Sequence, residues 1–131
     1  MPQSGWTNEE IYLLAERAYA FYRQGSYQEA GIIFSALVVL DPSNAYCRMA
    51  LAGLCMLTGD YRRAVEELSA VLQQSPANHS ARARRCEAYC ELRNWDKVRE
   101  DMEILRRAGQ RQFIERLTWR MQAAGNTAKR N

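Results

Sequence analysis

Gly25-Ser26-Tyr27-Gln28-Glu29-Ala30 returns 34 residues later as Gly59-Asp60-Tyr61-Arg62-Arg63-Ala64, and a degraded third copy, Arg93-Asn94-Trp95-Asp96-Lys97-Val98, follows at the same offset. The first two copies set a glycine before an aromatic and a small residue three places beyond that aromatic. Such a glycine ends one helix, and the small residue lets the next helix approach its neighbour closely. A period of 34 residues marks one helix-turn-helix unit used repeatedly, because each unit has an apolar face that only adjoining units can bury.

Outward from the first turn, Thr7-Asn8-Glu9-Glu10 has the form of a capping box, in which hydroxyl and carboxylate each satisfy an orphan amide. Ile11, Leu14, Ala18, Phe21 and Tyr22 then recur at helical steps up to Gly25. Residues 27–40 carry Ala30, Phe34 and Leu37 on one face, and Asp41-Pro42 closes that helix, since proline disfavours the helical state before it. The shifted plan predicts helices over 45–58 and 61–73, then 79–93 and 95–107, with Ser75-Pro76 and Gly109 as stops. A last helix over about 111–124 sets Phe113, Ile114, Leu117 and Met121 on one face against Arg111, Glu115, Arg116 and Arg120 on the other. This is the pattern of a terminal cap. The expected organisation is a loose leader over 1–7, one domain over 8–125 with repeats at about 11–44, 45–78 and 79–112, and a polar tail over 126–131.

The 131 residues suffice for one core. With 47% hydrophobic residues the chain is globular, and its net charge of +3, from 18 basic and 15 acidic residues, is interspersed. That gives little support for a nucleic-acid partner or membrane insertion. No apolar run reaches the roughly 18 to 20 residues that span a bilayer, and residues 1–7 lack the regions of a signal peptide. A cytoplasmic location is therefore expected, with all four cysteines as thiols.

These repeats resemble the tetratricopeptide repeat (TPR) family. Repeat 1 supplies Leu14, Ala18, Phe21, Gly25, Tyr27, Ala30, Phe34 and Pro42; repeat 2 supplies Leu51, Ala52, Gly59, Tyr61, Ala64, Leu68 and Pro76. Repeat 3 departs from the pattern, with Arg85-Cys86 for the Leu-Gly pair, Val98 for the small alanine and Gln110 for proline. The resemblance implies an all-α, right-handed superhelix of three TPR repeats plus a C-terminal capping helix, with the first helix of each repeat lining a concave groove. Carried onto this chain, the groove positions are Tyr12, Ala15, Tyr19, Tyr22 and Arg23, then Tyr46, Met49, Gly53, Met56 and Leu57, then Ser80, Ala83, Arg84, Glu87 and Cys90. Tyrosines and methionines there suit apolar anchors of a partner segment; the alternative for Tyr19 and Met56 is that they fill the core between helices. TPR modules that hold the carboxylate terminus of heat-shock chaperones share a Lys/Asn/Arg clamp. Here Ala15, Tyr19, Met49 and Ala50 occupy the clamp positions, leaving only Arg84, so carboxylate capture is not expected.

Other chemistry finds little support. Cys86 and Cys90 stand four apart with His79 upstream, but a structural zinc site wants four ligands. No metal or other cofactor is expected. No nucleophile stands beside a base, so no enzymatic activity is expected either. Arg82, Arg84 and Arg85 spread around their helix, as a solvated face or as salt-bridge donors to Glu66 and Glu67.

Within the TPR family, Phe34-Ser35-Ala36-Leu37-Val38-Val39-Leu40-Asp41, followed by Gly59-Asp60-Tyr61, is similar to the class II chaperones of bacterial type III secretion. The short capped start looks more like a second group, the small TPR export component that chaperones an early-exported protein of the needle apparatus. What this resemblance implies is a bacterial, non-enzymatic chaperone holding a secreted translocator or apparatus protein as an extended or helical segment. The alternative is a self-associating scaffold, with a homodimer as its simplest form.

Overall fold

The computed structural model describes residues 5–130, with side chains through residue 125. Residues 1–4 of the expected leader and Asn131 lie outside the described residues. Among the described residues there are seven helices and no strand: α1 (Asn8–Arg23), α2 (Tyr27–Leu40), α3 (Ala45–Thr58), α4 (Tyr61–Gln74), α5 (His79–Glu91), α6 (Trp95–Arg107) and α7 (Arg111–Arg130). The chain divides between Gly59 and Asp60 into two compact units.

In the first unit, α1 packs against α2 and α2 against α3. The capping box forms as its sequence requires: Thr7 Oγ1 accepts from the Glu10 amide and Glu10 Oε1 accepts from the Thr7 amide, both at 3.1 Å. Ala18 and Ala30 are fully buried and Phe34 nearly so. Small residues on both helices therefore bring the two close together around one aromatic wedge. Gly25 takes φ 81° between α1 and α2, the left-handed state in which a glycine carries no Cβ penalty. Asn44 then starts α3 by accepting from the Cys47 amide at 3.2 Å.

In the second unit, α5 packs against α4, α6 and α7. Its core gathers Ala83, Cys86, Cys90, Val98, Met102, Leu105 and Leu117, with Trp95, Phe113, Ile114 and Met121 against it. Arg93, 34 residues after Gly59, takes φ 58°. The third turn keeps the geometry of the other two and forces a long side chain into it.

The anomalous Arg85 of repeat 3 also has a structural account. Asp101 of α6 is 1% exposed and receives two arginines. Arg85 donates from Nε to Oδ2 at 3.0 Å and from NH2 to Oδ1 at 2.7 Å, while Arg82 NH1 donates to Oδ1 at 3.3 Å. Arg85 NH1 reaches Ser69 Oγ on α4 and Arg82 NH2 reaches the Pro76 carbonyl. A charged staple thus joins α4, α5 and α6 where repeat 2 uses Leu51. This corrects the expectation of a solvated arginine face or of pairing with Glu66 and Glu67 for Arg82 and Arg85, because an aspartate one helix further on lies within reach.

The outer face of α7 is likewise less free than its charge pattern suggests. Arg116 pairs with Glu87 at 3.0 Å and Arg120 with Glu91 at 2.6 Å. The helix also continues to Arg130 through the residues expected as a tail. Nothing in Gly125-Asn126-Thr127 stops it, since one glycine inside a helix costs only about 1 kcal/mol.

Candidate partner-binding groove

On α1 the residues Asn8, Tyr12, Glu16 and Tyr19 follow one another at steps of three and four, so they share one face. The turn from Asp41 to Asn44 and the first turn of α3 lie beside that face. Asn8, Ile11, Tyr12, Ala15 and Glu16 of α1, with Asp41, Asn44 and Tyr46, enclose a pocket of about 380 Å³. Its two tyrosines are exposed, Tyr12 at 63% and Tyr46 at 52%. Burial raises the Tyr46 phenol above the ordinary tyrosine range, and Tyr19, Glu16, Cys47 and Tyr12 raise it further.

The tyrosines continue along α1. Tyr19 and Tyr22 have ring centroids 5.5 Å apart, and Tyr22 meets Tyr27 of α2 at 5.7 Å. The Arg23 guanidinium lies 5.0 Å from the Tyr19 ring centre, a separation at which a cation is attracted to an aromatic face. Tyr22 and Tyr27 tie the two helices together, whereas Tyr19 stays exposed at 37%. On α3, Met49, Gly53 and Met56 are half-buried and follow one another at helical steps. The first unit thus holds eight of the expected groove residues: Tyr12, Tyr19, Tyr22, Arg23, Tyr46, Met49, Gly53 and Met56.

Arg84 and Glu87, also expected in the groove, belong to α5 in the second unit. Arg84 is half-buried. Glu87 is engaged by Arg116 of α7 and its side chain is 18% exposed. Three further expected groove positions are corrected. Ala15 is 5% exposed and forms pocket wall, and Ala83 and Cys90 are at most 1% exposed within the second core. The reason for the last two is α7, whose Leu117, Phe113, Ile114 and Met121 cover that side of α5. Glu16, Asp41, Asn8 and Asn44 line the pocket without having been expected there. Glu16 could have been found as the residue one helical turn beyond Tyr12. Asp41 could not, because its place depends on how the α2–α3 turn returns past α1.

Cys47 and Cys86 are held as thiols, whereas the hydrogen bond from Cys86 lowers Cys90. Burial and the Asp41 carboxylate push Cys47 up to about 11. Cys86 donates from Sγ to the Val98 carbonyl at 3.6 Å, and its hydrogen bond with Cys90 together with burial raises it well above the ordinary thiol range. Protonated thiols are poor metal ligands and poor nucleophiles. Among the described residues no group of three or more His, Cys, Asp or Glu is placed to hold a metal ion. No helix among them is long and apolar enough to cross a membrane.

A family model of the tetratricopeptide repeat matches residues 56–112, and the chain has the tetratricopeptide-repeat fold. It is similar to the crystal structure of PcrH from Pseudomonas aeruginosa, with TM-score 0.75 and 18% identity over 92% of this chain and 96% of that one. It is also similar to PcrH in complex with the chaperone binding region of PopD, with TM-score 0.77 and 19% identity over 98% and 99%. A third likeness is to the type III secretion translocator chaperone SycD of Yersinia enterocolitica, with TM-score 0.73 and 16% identity over 89% and 91%. A comparison with curated protein sequences finds no match.

Proposed function

We propose that this chain is a non-enzymatic, cytoplasmic chaperone of bacterial type III secretion. It holds an apolar segment of a secreted translocator or apparatus protein on the tyrosine- and methionine-bearing face of α1 and α3 before export. One observation carries the reading: Tyr12, Tyr19 and Tyr46 remain 63%, 37% and 52% exposed around a pocket and its margin. Large aromatics left in water beside a cavity are what a partner's anchors would cover. The fold likeness to PcrH bound to a segment of PopD supports the same reading. Each anchor residue of the partner would contribute roughly 1.5–3 kcal/mol on burial, so a few suffice for a stable but reversible complex.

The test is the paired substitution Tyr19→Asp with Met56→Asp. We expect loss of capture of the protein that co-purifies from the native cell, identified by mass spectrometry, with helical circular dichroism unchanged. Undiminished capture overturns the reading, and loss of helicity assigns these side chains to the core.

A second reading, a self-associating scaffold, draws on α2. Ile32 and Val39 are 64% and 77% exposed, and the helix carries no charge after Glu29. Light scattering of the purified chain separates the two, because a scaffold forms homo-oligomers that persist through Tyr19→Asp with Met56→Asp.

A further inference from the structure

The pocket between α1 and the start of α3 differs in kind from an apolar anchor site. Ile11 and Ala15 form an apolar wall, at 3% and 5% exposure, and Tyr12 and Tyr46 supply aromatic surface. The charged side chains lining it are Glu16 and Asp41, and no lysine or arginine lines it. Glu16 makes no ion pair among the described residues. The Asp41 carboxylate accepts from two neutral donors, Ser43 Oγ on Oδ1 and Asn44 Nδ2 on Oδ2, each at 3.4 Å. The nearby Arg48 guanidinium is held by its Nε on the Pro42 carbonyl at 2.7 Å.

Resting on the groove reading above, we infer that this pocket is a subsite for a lysine or arginine side chain of the bound segment. Such a side chain has an aliphatic stem for Ile11, Ala15 and the tyrosine rings, and a cationic head for the two carboxylates. The rings add cation–π attraction. The competing occupants fare worse on the same lining. A leucine-like anchor would draw water away from Glu16 and Asp41 and return no hydrogen bond, and an acidic side chain would meet two like charges. A volume of about 380 Å³ admits one long side chain with its water. The partner segment is thereby specified as apolar with a basic residue set in register against the N-terminal half of α1.

The probe is N-acetyl-lysine methylamide, titrated into the full 15N-labelled chain and followed by the amide signals of residues 12, 16 and 46. N-acetyl-norleucine methylamide, which keeps the stem and lacks the charge, is the control. We expect saturable shifts confined to the pocket for the lysine compound, weaker ones for norleucine, and a decline as salt is raised. Glu16→Gln, at an exposed site, should weaken the lysine compound about threefold to fivefold, as loss of one solvent-facing ion pair does. Equal responses to the two compounds, no localised shift, or indifference to Glu16→Gln overturns the subsite. If the subsite falls while Tyr19→Asp with Met56→Asp still abolishes capture, the groove reading stands without it.

Discussion

Asp101 is the residue whose loss should cost most. It lies 1% exposed between Arg82 and Arg85, whose side chains are 9% and 18% exposed. Removing the carboxylate leaves two cations short of water and of a counter-charge. Breaking such a pair typically costs about 3–5 kcal/mol. Asp101→Ala should therefore lower the unfolding free energy from denaturant titration by that much, and a decrease under about 1 kcal/mol would show the staple to be solvated. Cys47 makes a pH-dependent contribution. Its thiol is raised from the ordinary 9.0 to about 11, by burial first and Asp41 second. The buried neutral form is thus fully stabilising below about pH 9, and this contribution is lost as the pH rises through 11. Urea midpoints measured from pH 8 to 11 should fall, and Cys47→Val should flatten that fall. Tyr46, also raised, acts in the same direction and leaves a residual slope.

At the scale of the element, the three turns form a natural series. Gly25 and Gly59 take φ 81° and Arg93 takes φ 58°, all at one register of the repeat. A Cβ built on Gly25 or Gly59 meets no atom within 4 Å, so substitution there is governed by backbone preference alone. The left-handed state disfavours residues with a Cβ by about 1–2 kcal/mol. Gly59→Ala should then destabilise by roughly 1 kcal/mol and Arg93→Gly should stabilise by a similar or smaller amount, both read from thermal unfolding. If Arg93→Gly has no effect, the turn relaxes in solution to another conformation. The caps tell a parallel story: Asp60 and Asn94 accept from the amides of Arg63 and Lys97, while Ser26 makes no side-chain cap bond. The aromatic series Tyr27, Tyr61 and Trp95 that follows was visible as sequence, and so were Ala30, Ala64 and Val98 three places beyond, each fully buried.

For the whole molecule, the proposed function predicts a linkage between binding and stability. A segment that binds the folded chain alone stabilises it by about 2.7 kcal/mol at a hundred times its dissociation constant. The purified chain should therefore unfold at a higher temperature with its partner segment present. Tyr19→Asp with Met56→Asp should remove that increment while leaving the unliganded stability within about 1 kcal/mol of wild type, as exposed or half-exposed sites allow. A midpoint unmoved by saturating partner would place the contact off the folded groove. The same measurement distinguishes a chaperone from a homomeric scaffold, whose midpoint rises with its own concentration instead.

The repeat period by itself determined the helix order, the turn geometry and the small-residue contacts, because those depend on neighbours within one or two turns of chain. Even the decayed turn at Arg93 was set by register, since its backbone follows Gly25 and Gly59 although its residue does not. Tertiary structure alone decided the rest. It placed Asp101 under Arg82 and Arg85, covered Ala83 and Cys90 with α7, and brought Asp41 and Tyr46 around the Tyr12 face of α1. Charge pairing and exposure across helices depend on which distant faces meet, and a periodic pattern shows each face without naming its partner.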